Sequence, residues 1–287
     1  MATVTPVRPS AIAGTWYEGN PKILARLVDG YLDRAELPEL PGEVVAVIAP
    51  HAGHRYSGPV AGYAFAALRG LSPKLVAVVS PMHQPYYEAL LTTAHEAYAT
   101  PLGEVPVDKS AVADLDARLQ KALGEGLSPT AYDREHSLEI ELPFLQRALA
   151  GEFKLLPVMV RAQMEDLAQT LGSALAETLR GREALLVAST DLSHFFDQET
   201  ARVLDSEMLR CFESFAPETI FEAERTGKGA ACGHAAVAAV LWAARALGAD
   251  TVKVLRYATS GDVTGDYDQV VGYGAAVVLK GRETSKK

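Results

Sequence analysis

The amino-acid sequence predicts an α/β fold, a single three-layer α/β/α domain built on a largely parallel sheet. Two observations carry this. Six apolar runs, at 44–50, 74–80, 154–160, 184–190, 251–260 and 270–280, are continuous rather than alternating, as strands covered on both faces are. Between them lie segments whose apolar residues recur with the helical period. Strands alternating with helices in this way imply a mostly parallel sheet covered on both sides. A length of 287 residues suits one such domain and can bury a substantial core.

In chain order, ILARLVDGYLDRA (23–35) has helical spacing, and VVAVIAP (44–50) is the first strand. That strand runs directly into PHAGH, where Gly53 and the later Gly58 are read as permitting a sharp exit. PVAGYAFAALRG (59–70) is the next helix, KLVAVVS (74–80) the second strand, and ALLTTAHEAYATPLGEVPVD (89–108) an edge hairpin. KSAVADLDARLQKAL (109–123) and SLEIELPFLQRALA (137–150) have helical period, and KLLPVMV (154–160) is a buried strand. MEDLAQTLGSALAETL (164–179) and ALLVAST (184–190) repeat the helix–strand alternation. CGHAAVAAVLWAARALG (232–248) is a long helix before the last two strands, TVKVLRYATS (251–260) and VVGYGAAVVLK (270–280). No repeat or linker divides residues 1–280, and only GRETSKK (281–287) reads as a flexible tail.

A net charge of −9 without a long basic run gives no reason to expect a nucleic-acid surface. Two cysteines, Cys211 and Cys232, are too few for a disulfide framework and suit a reducing compartment. MATVTPVRPSAIAG lacks the charged and apolar regions of a signal peptide. No apolar run approaches the ~20 residues of a membrane span. A cytoplasmic protein without a membrane partner is the expectation.

Ligands of open parallel sheets bind beyond the carboxyl ends of the strands. Here those ends carry unusual chemistry: His51 and His54 after the first strand, His83 after the second, Asp191 and His194 in TDLSHF, and Ser260 and Asp262 in YATSGD. Three strand ends thus hold four of the seven histidines. Cys232 lies where glycines give way to the helix at 232–248, a place where unpaired N–H groups favour a thiolate. Neutral imidazoles with a thiolate suit iron, zinc or copper. His51, His83 and Cys232 would fill three positions and leave others open. A lone strand-end histidine is as readily a turn residue. A cysteine in an alanine-rich helix start is as readily a small hydrophobe, as Cys211 in LRCFESF is taken to be, and Asp191 or Ser193 as readily a helix cap. His95 belongs to an edge-strand context outside the site. His136, in EHSLE, reads either as a capped helix start or as a residue orienting a ligand.

The motifs IAPHAG (48–53), PMH (81–83), EHSLEIELPF (135–144), STDLSHF (189–195) and ACGH (231–234), with RPSAIAGTWY (8–17) and VVGYGAAVVL, resemble the Memo family. Its bacterial and archaeal members are called AmmeMemoRadiSam system protein B. The resemblance implies an α/β fold similar to class III extradiol ring-cleavage dioxygenases. It also implies a mononuclear metal site at His51, His83 and Cys232, where the thiolate replaces the dioxygenase carboxylate. His194 would be the acid/base or an additional ligand, its tautomer set by Asp191, and Trp16 and Tyr17 would wall the pocket. His54 stands where Tyr is expected in much of the family. Iron(II) and a dioxygenase-type oxidoreductase lead, with zinc or copper suiting the same donors. The other readings are a zinc hydrolase, a Cys232 nucleophile, and a non-catalytic adaptor like the eukaryotic relatives. The family name further implies an AMMECR1-like protein and a radical SAM protein as pathway partners.

Overall fold

A computed structural model of the chain describes residues 5–281. Its elements in order are β1 (Val7–Arg8), α1 (Pro21–Asp33), β2 (Gly42–Ala49), α2 (His54–Ala66), β3 (Leu75–Pro81), β4 (Leu90–Thr93), β5 (Ala97–Thr100) and β6 (Gly103–Pro106). There follow α3 (Lys109–Leu123), β7 (Ser128–Thr130), a 3₁₀ turn (Glu139–Glu141), α4 (Leu142–Ala148), β8 (Lys154–Val160), α5 (Glu165–Leu179) and β9 (Ala184–Ser189). The remainder comprises β10 (His194–Phe196), α6 (Gln198–Glu213), α7 (Glu218–Arg225), α8 (His234–Ala246), β11 (Thr251–Thr259), α9 (Gly261–Thr264) and β12 (Val270–Gly281).

Local chemistry explains the helix ends. Asp108 caps α3 by accepting from Ala111 N, and Gly124 closes it at φ +79°, a left-handed turn that glycine enters without a Cβ penalty. Asn20 caps α1 in the same way, accepting from Lys22 N and Ile23 N. Gly58 and Gly62 serve packing rather than the strand exit. A Cβ on Gly58 would lie 2.7 Å from the Tyr31 ring, and one on Gly62 2.6 Å from the Tyr31 carbonyl oxygen. Only glycine lets α1 approach α2 so closely.

The main sheet runs β10-β12-β2-β9-β3-β8-β4-β7, with β11 on the other side of β12. Its centre, β2-β9-β3-β8, is parallel throughout. Its flanks are not: β12 is antiparallel to β2 and to β11, and β4 is antiparallel to β8. The largely parallel sheet read from the sequence is therefore a mixed one. The connection from β11 to β12 is too short for the crossover that parallel neighbours require. The anticipated edge hairpin also divides, β4 joining the main sheet while β5 and β6 pair as a hairpin beside β1. Gly281, assigned to the tail, ends β12 and pairs with Gly42 of β2; residues 282–287 lie outside the described part.

Both faces of the sheet are covered. Leu115, Leu171, Phe212 and Val240 from α3, α5, α6 and α8 pack on one face. Val28, Phe65 and Phe144 from α1, α2 and α4 pack on the other. Cys211 is buried in the first of these layers, as read from the sequence. No helix among the described residues is long and apolar enough to cross a membrane.

Strand register positions the chemistry. Ala49 of β2 pairs with Ser189 of β9, and Pro81 of β3 with Val160 of β8. His51, Asp191 and His83 each follow two residues after one of these strand ends, so the sheet delivers them to one edge. β11 runs parallel to β2 by way of the two antiparallel pairings, so Ser260 reaches that edge as well.

Candidate metal centre

Three histidines converge beyond the strand ends. The ligand atoms of His51, His83 and His136 all lie within 4.8 Å of one another. The rings of His83 and His136 stack with centroids 4.8 Å apart, and His51 presents its edge to both, at 5.2 and 5.5 Å. His136, read from the sequence as a helix start or an orienting residue, thus sits inside the cluster.

Each ring is held from behind. The buried carboxylate of Glu135 lies 3.0 Å from His83 Nδ1 and 3.2 Å from His136 Nδ1. It also accepts from the backbone N–H groups of His83, His136 and Ser137. Burial alone would raise its pKa. The His83 hydrogen bond and charge, with the Ser137 amide, outweigh burial and hold Glu135 well below the usual carboxylate range. His51 Nδ1 is 2.9 Å from Ser189 Oγ. With Nδ1 of His51 and His83 hydrogen-bonded, their Nε2 lone pairs are left for a ligand position, the usual arrangement of metal-binding imidazoles.

Two of the imidazoles, His51 and His136, are held toward the neutral form. Burial pushes His136 down to about 4, with Glu135 opposing and His83 adding repulsion. Burial and then repulsion from His136 and His83 push His51 well below its ordinary value. Neutral rings are the form that ligates a metal. The donor set therefore fits a borderline divalent transition ion.

Cys232 lies beside the cluster, its Sγ 3.1 Å from His51 Nε2 and 3.3 Å from the Asp191 amide that donates to it. A low-pKa thiol before α8 was the expectation. Burial, and then the Asp191 charge, instead push the Cys232 thiol up. Without a cation beside it, helix-end stabilisation is the weaker effect.

Asp191 accepts from the His51 amide at 2.7 Å, and burial pushes it up to about 7 against the amides of His51 and Ala52. It does not set the tautomer of His194, whose Nδ1 lies 2.8 Å from Leu192 O. Burial lowers the pKa of His194, the Leu192 bond opposes, and repulsion from His83 adds to the lowering.

A cleft of about 610 Å³ adjoins the histidines, lined by Trp16, Arg55, Tyr56, Phe195, Ser260 and Tyr273 among others. Trp16 is the shared wall, its ring centroid 4.2 Å from that of His136. Tyr17 is buried instead, and its hydroxyl donates to Glu139 at 2.8 Å. Phe195 holds the left-handed backbone, φ +64°, where the pairing of β10 with β12 slips by a residue. Such bulges re-aim a side chain, and this one is exposed beside the cleft. A larger depression of about 1160 Å³ along α6 contains none of these residues.

His54 is buried behind the site. Its ring lies between Tyr17 and Phe144, Nε2 is 3.0 Å from Ile140 O, and Nδ1 has no partner. Burial lowers its pKa to about 4, the Ile140 bond opposing. The folded pKa lies below the unfolded one, near 6.5, so this contribution to stability is full above pH 6.5 and is lost as pH falls through 4. The full loss is on the order of 3 kcal/mol. Urea unfolding of wild type and His54→Gln at pH 7 and pH 4 is expected to show a smaller acid loss in the variant. Equal losses would remove His54 as the acid-sensitive group.

His95 is buried elsewhere, its ring nitrogens 2.7 and 3.1 Å from the carbonyl oxygens of Thr5 and Ala131. Ser260 and Asp262 shape the β11–β12 corner through Val271 N and Thr259 N.

Sequence reasoning missed Glu135, Ser189 and Glu141. The available signal was acids at 135, 139 and 141 around an apolar run, all three buried here.

Comparison with known proteins spans nearly the whole chain. The family model described as Memo-like protein matches residues 8–277. A MEMO1 family protein of Methanothermobacter thermautotrophicus is 35% identical over 277 residues, covering 93% of this chain and 98% of the relative. One from Nitrosopumilus maritimus is 32% identical over 273 residues, covering 94% and 98%. One from Methanopyrus kandleri is 33% identical over 284 residues, covering 96% and 99%.

Proposed function

The chain belongs to the Memo-like protein family, and on that premise we propose a mononuclear metal protein of the non-haem iron, dioxygenase-like oxidoreductase type. The observation that carries the reading is the convergence of three imidazoles, two of them hydrogen-bonded through Nδ1 to Ser189 and Glu135. In this reading His51 and His83 are ligands, Cys232 completes the set implied by the family, and His136 stands at a further corner. Iron(II) held by these residues would supply redox chemistry with O2.

The chain's own residues would do the rest. Trp16, Tyr56, Phe195 and Tyr273 give the cleft aromatic walls, which favour a flat ring substrate of the catechol type. Arg55 offers a positive charge at the same cleft. His194, with Nδ1 committed to Leu192 O, moves protons through Nε2. Asp191, poised near neutrality, can hold or release one beside His51 and Cys232. A cytoplasmic location and pathway partners of AMMECR1-like and radical SAM type belong to the same proposal.

A zinc hydrolase is the second reading, and the His136 position favours it. Three histidines with one open site are a known catalytic zinc set. The deciding experiment is elemental analysis of untagged protein purified without oxygen, beside His83→Ala, followed by O2 uptake with catechols. About one iron per chain, lost in the variant, with substrate-dependent O2 uptake is the expected result. Zinc bound and lost in the same way, without O2 uptake, would establish the hydrolase reading instead. No metal bound, and none taken up on reconstitution, would overturn both.

A further inference from the structure

The Ser189 hydroxyl sits at the meeting point of three groups, and counting its hydrogens fixes the protonation of a fourth. Ser189 Oγ lies 2.9 Å from His51 Nδ1, 2.7 Å from Ser137 O and 2.6 Å from Glu141 Oε1. A hydroxyl donates once and accepts twice. Ser137 O is a backbone carbonyl and can only accept; its one donor among the described residues is this hydroxyl. A buried carbonyl is rarely left without a donor, so the Ser189 proton belongs to Ser137 O. The two remaining contacts must then both donate to Ser189. His51 supplies Nδ1–H, which frees its Nε2, and Glu141 must supply an O–H.

We propose that Glu141 is a neutral carboxylic acid that donates to Ser189 and thereby fixes the tautomer and orientation of His51. An ionised Glu141 would claim the Ser189 proton and leave Ser137 O facing the hydroxyl oxygen without a hydrogen. It would also leave a charged oxygen stranded. Glu141 is fully buried, its Oε2 has no partner, and no Arg or Lys among the described residues pairs with it. A neutral acid loses far less than a carboxylate in such a position. Burial pushes the Glu141 carboxyl well above its ordinary range, the Ser189 bond opposes, and the nearby Asp191 charge adds to the rise. Glu141 touches neither the cleft nor a ligand nitrogen, so it is a positioning residue acting through Ser189.

The significance for His51 rests on the metal-centre reading; the hydrogen-bond assignment stands on geometry alone. Infrared difference spectroscopy on the metal-free protein at pH 7 tests the assignment directly. The expected result is a protonated-carboxyl C=O band in wild type that disappears in Glu141→Gln. A carboxylate band lost in its place would overturn the proposal. Co(II) titration tests the consequence. Glu141→Gln keeps an N–H donor toward Ser189, so its affinity is expected within about 3-fold of wild type, whereas Ser189→Ala loses roughly 10- to 100-fold. A Glu141→Gln loss as large as that of Ser189→Ala, in protein with wild-type circular dichroism, would overturn the donor role. Failure of wild type to bind Co(II) at all would count against the metal centre, while the infrared result would still decide Glu141.

Discussion

Replacing His136 by alanine is expected to lower metal affinity as severely as His51→Ala or His83→Ala. The expected loss exceeds the roughly 10- to 100-fold that removal of an orienting partner costs. The reason is positional. The ligand atoms of the three rings lie within 4.8 Å of one another, and both His83 and His136 are steered by one carboxylate. Anaerobic Co(II) titration of the three variants beside Cys232→Ala separates the donor sets, because thiolate and imidazole give Co(II) different absorption. A large loss in Cys232→Ala with near-normal affinity in His136→Ala would return the site to the His51–His83–Cys232 set. His136 would then be a wall of the pocket.

Arg8→Ala is expected to cost about 3–5 kcal/mol of stability, the usual result of breaking a buried ion pair from one side. The Arg8 guanidinium donates to Glu139 Oε2 at 2.7 Å, Asp133 Oδ1 at 2.6 Å and Glu135 O at 2.8 Å. Glu139 also accepts from Tyr17 OH, Ala11 N and Ser10 Oγ. Removing Arg8 strands two buried carboxylates at once. Arg8→Lys is expected to rescue little, because an ammonium cannot span three acceptors in a fixed fork. Urea midpoints with unchanged m-values would measure the loss, and a value below about 1 kcal/mol would mean that the network is dispensable. Metal affinity should fall in parallel, since residues 133–141 carry Glu135 and His136.

The parallel centre of the sheet and the gathering of His51, His83 and Asp191 were legible because they depend on local patterns. A continuous apolar run marks a buried strand, and such strands share an edge. The antiparallel flank was legible only in part. β12 is buried along almost its whole length and reads like its parallel neighbours, so only the short connection after β11 marks the hairpin. The contribution of His136 was hidden because it does not follow a strand. It reaches the cluster on a segment anchored by Arg8, at a separation no local pattern encodes. The surroundings of the Cys232 thiol were hidden for a related reason. Position before a helix is visible in sequence, but burial beside Asp191 is a property of the assembled fold.

The carboxylate of Glu135 has a mechanical consequence. It gathers the amides of His83, His136 and Ser137 from two separate segments onto two oxygens. Those amides can open to solvent only when this clasp releases, so they form a single hydrogen-exchange unit together with the ligand rings they flank. The centre is then either assembled or absent, with little room for a half-formed state. An ion held there would act as the rivet of the seam between residues 133–141 and the strand ends that carry His51 and His83, and the ease of unpicking that seam would set how long the ion stays.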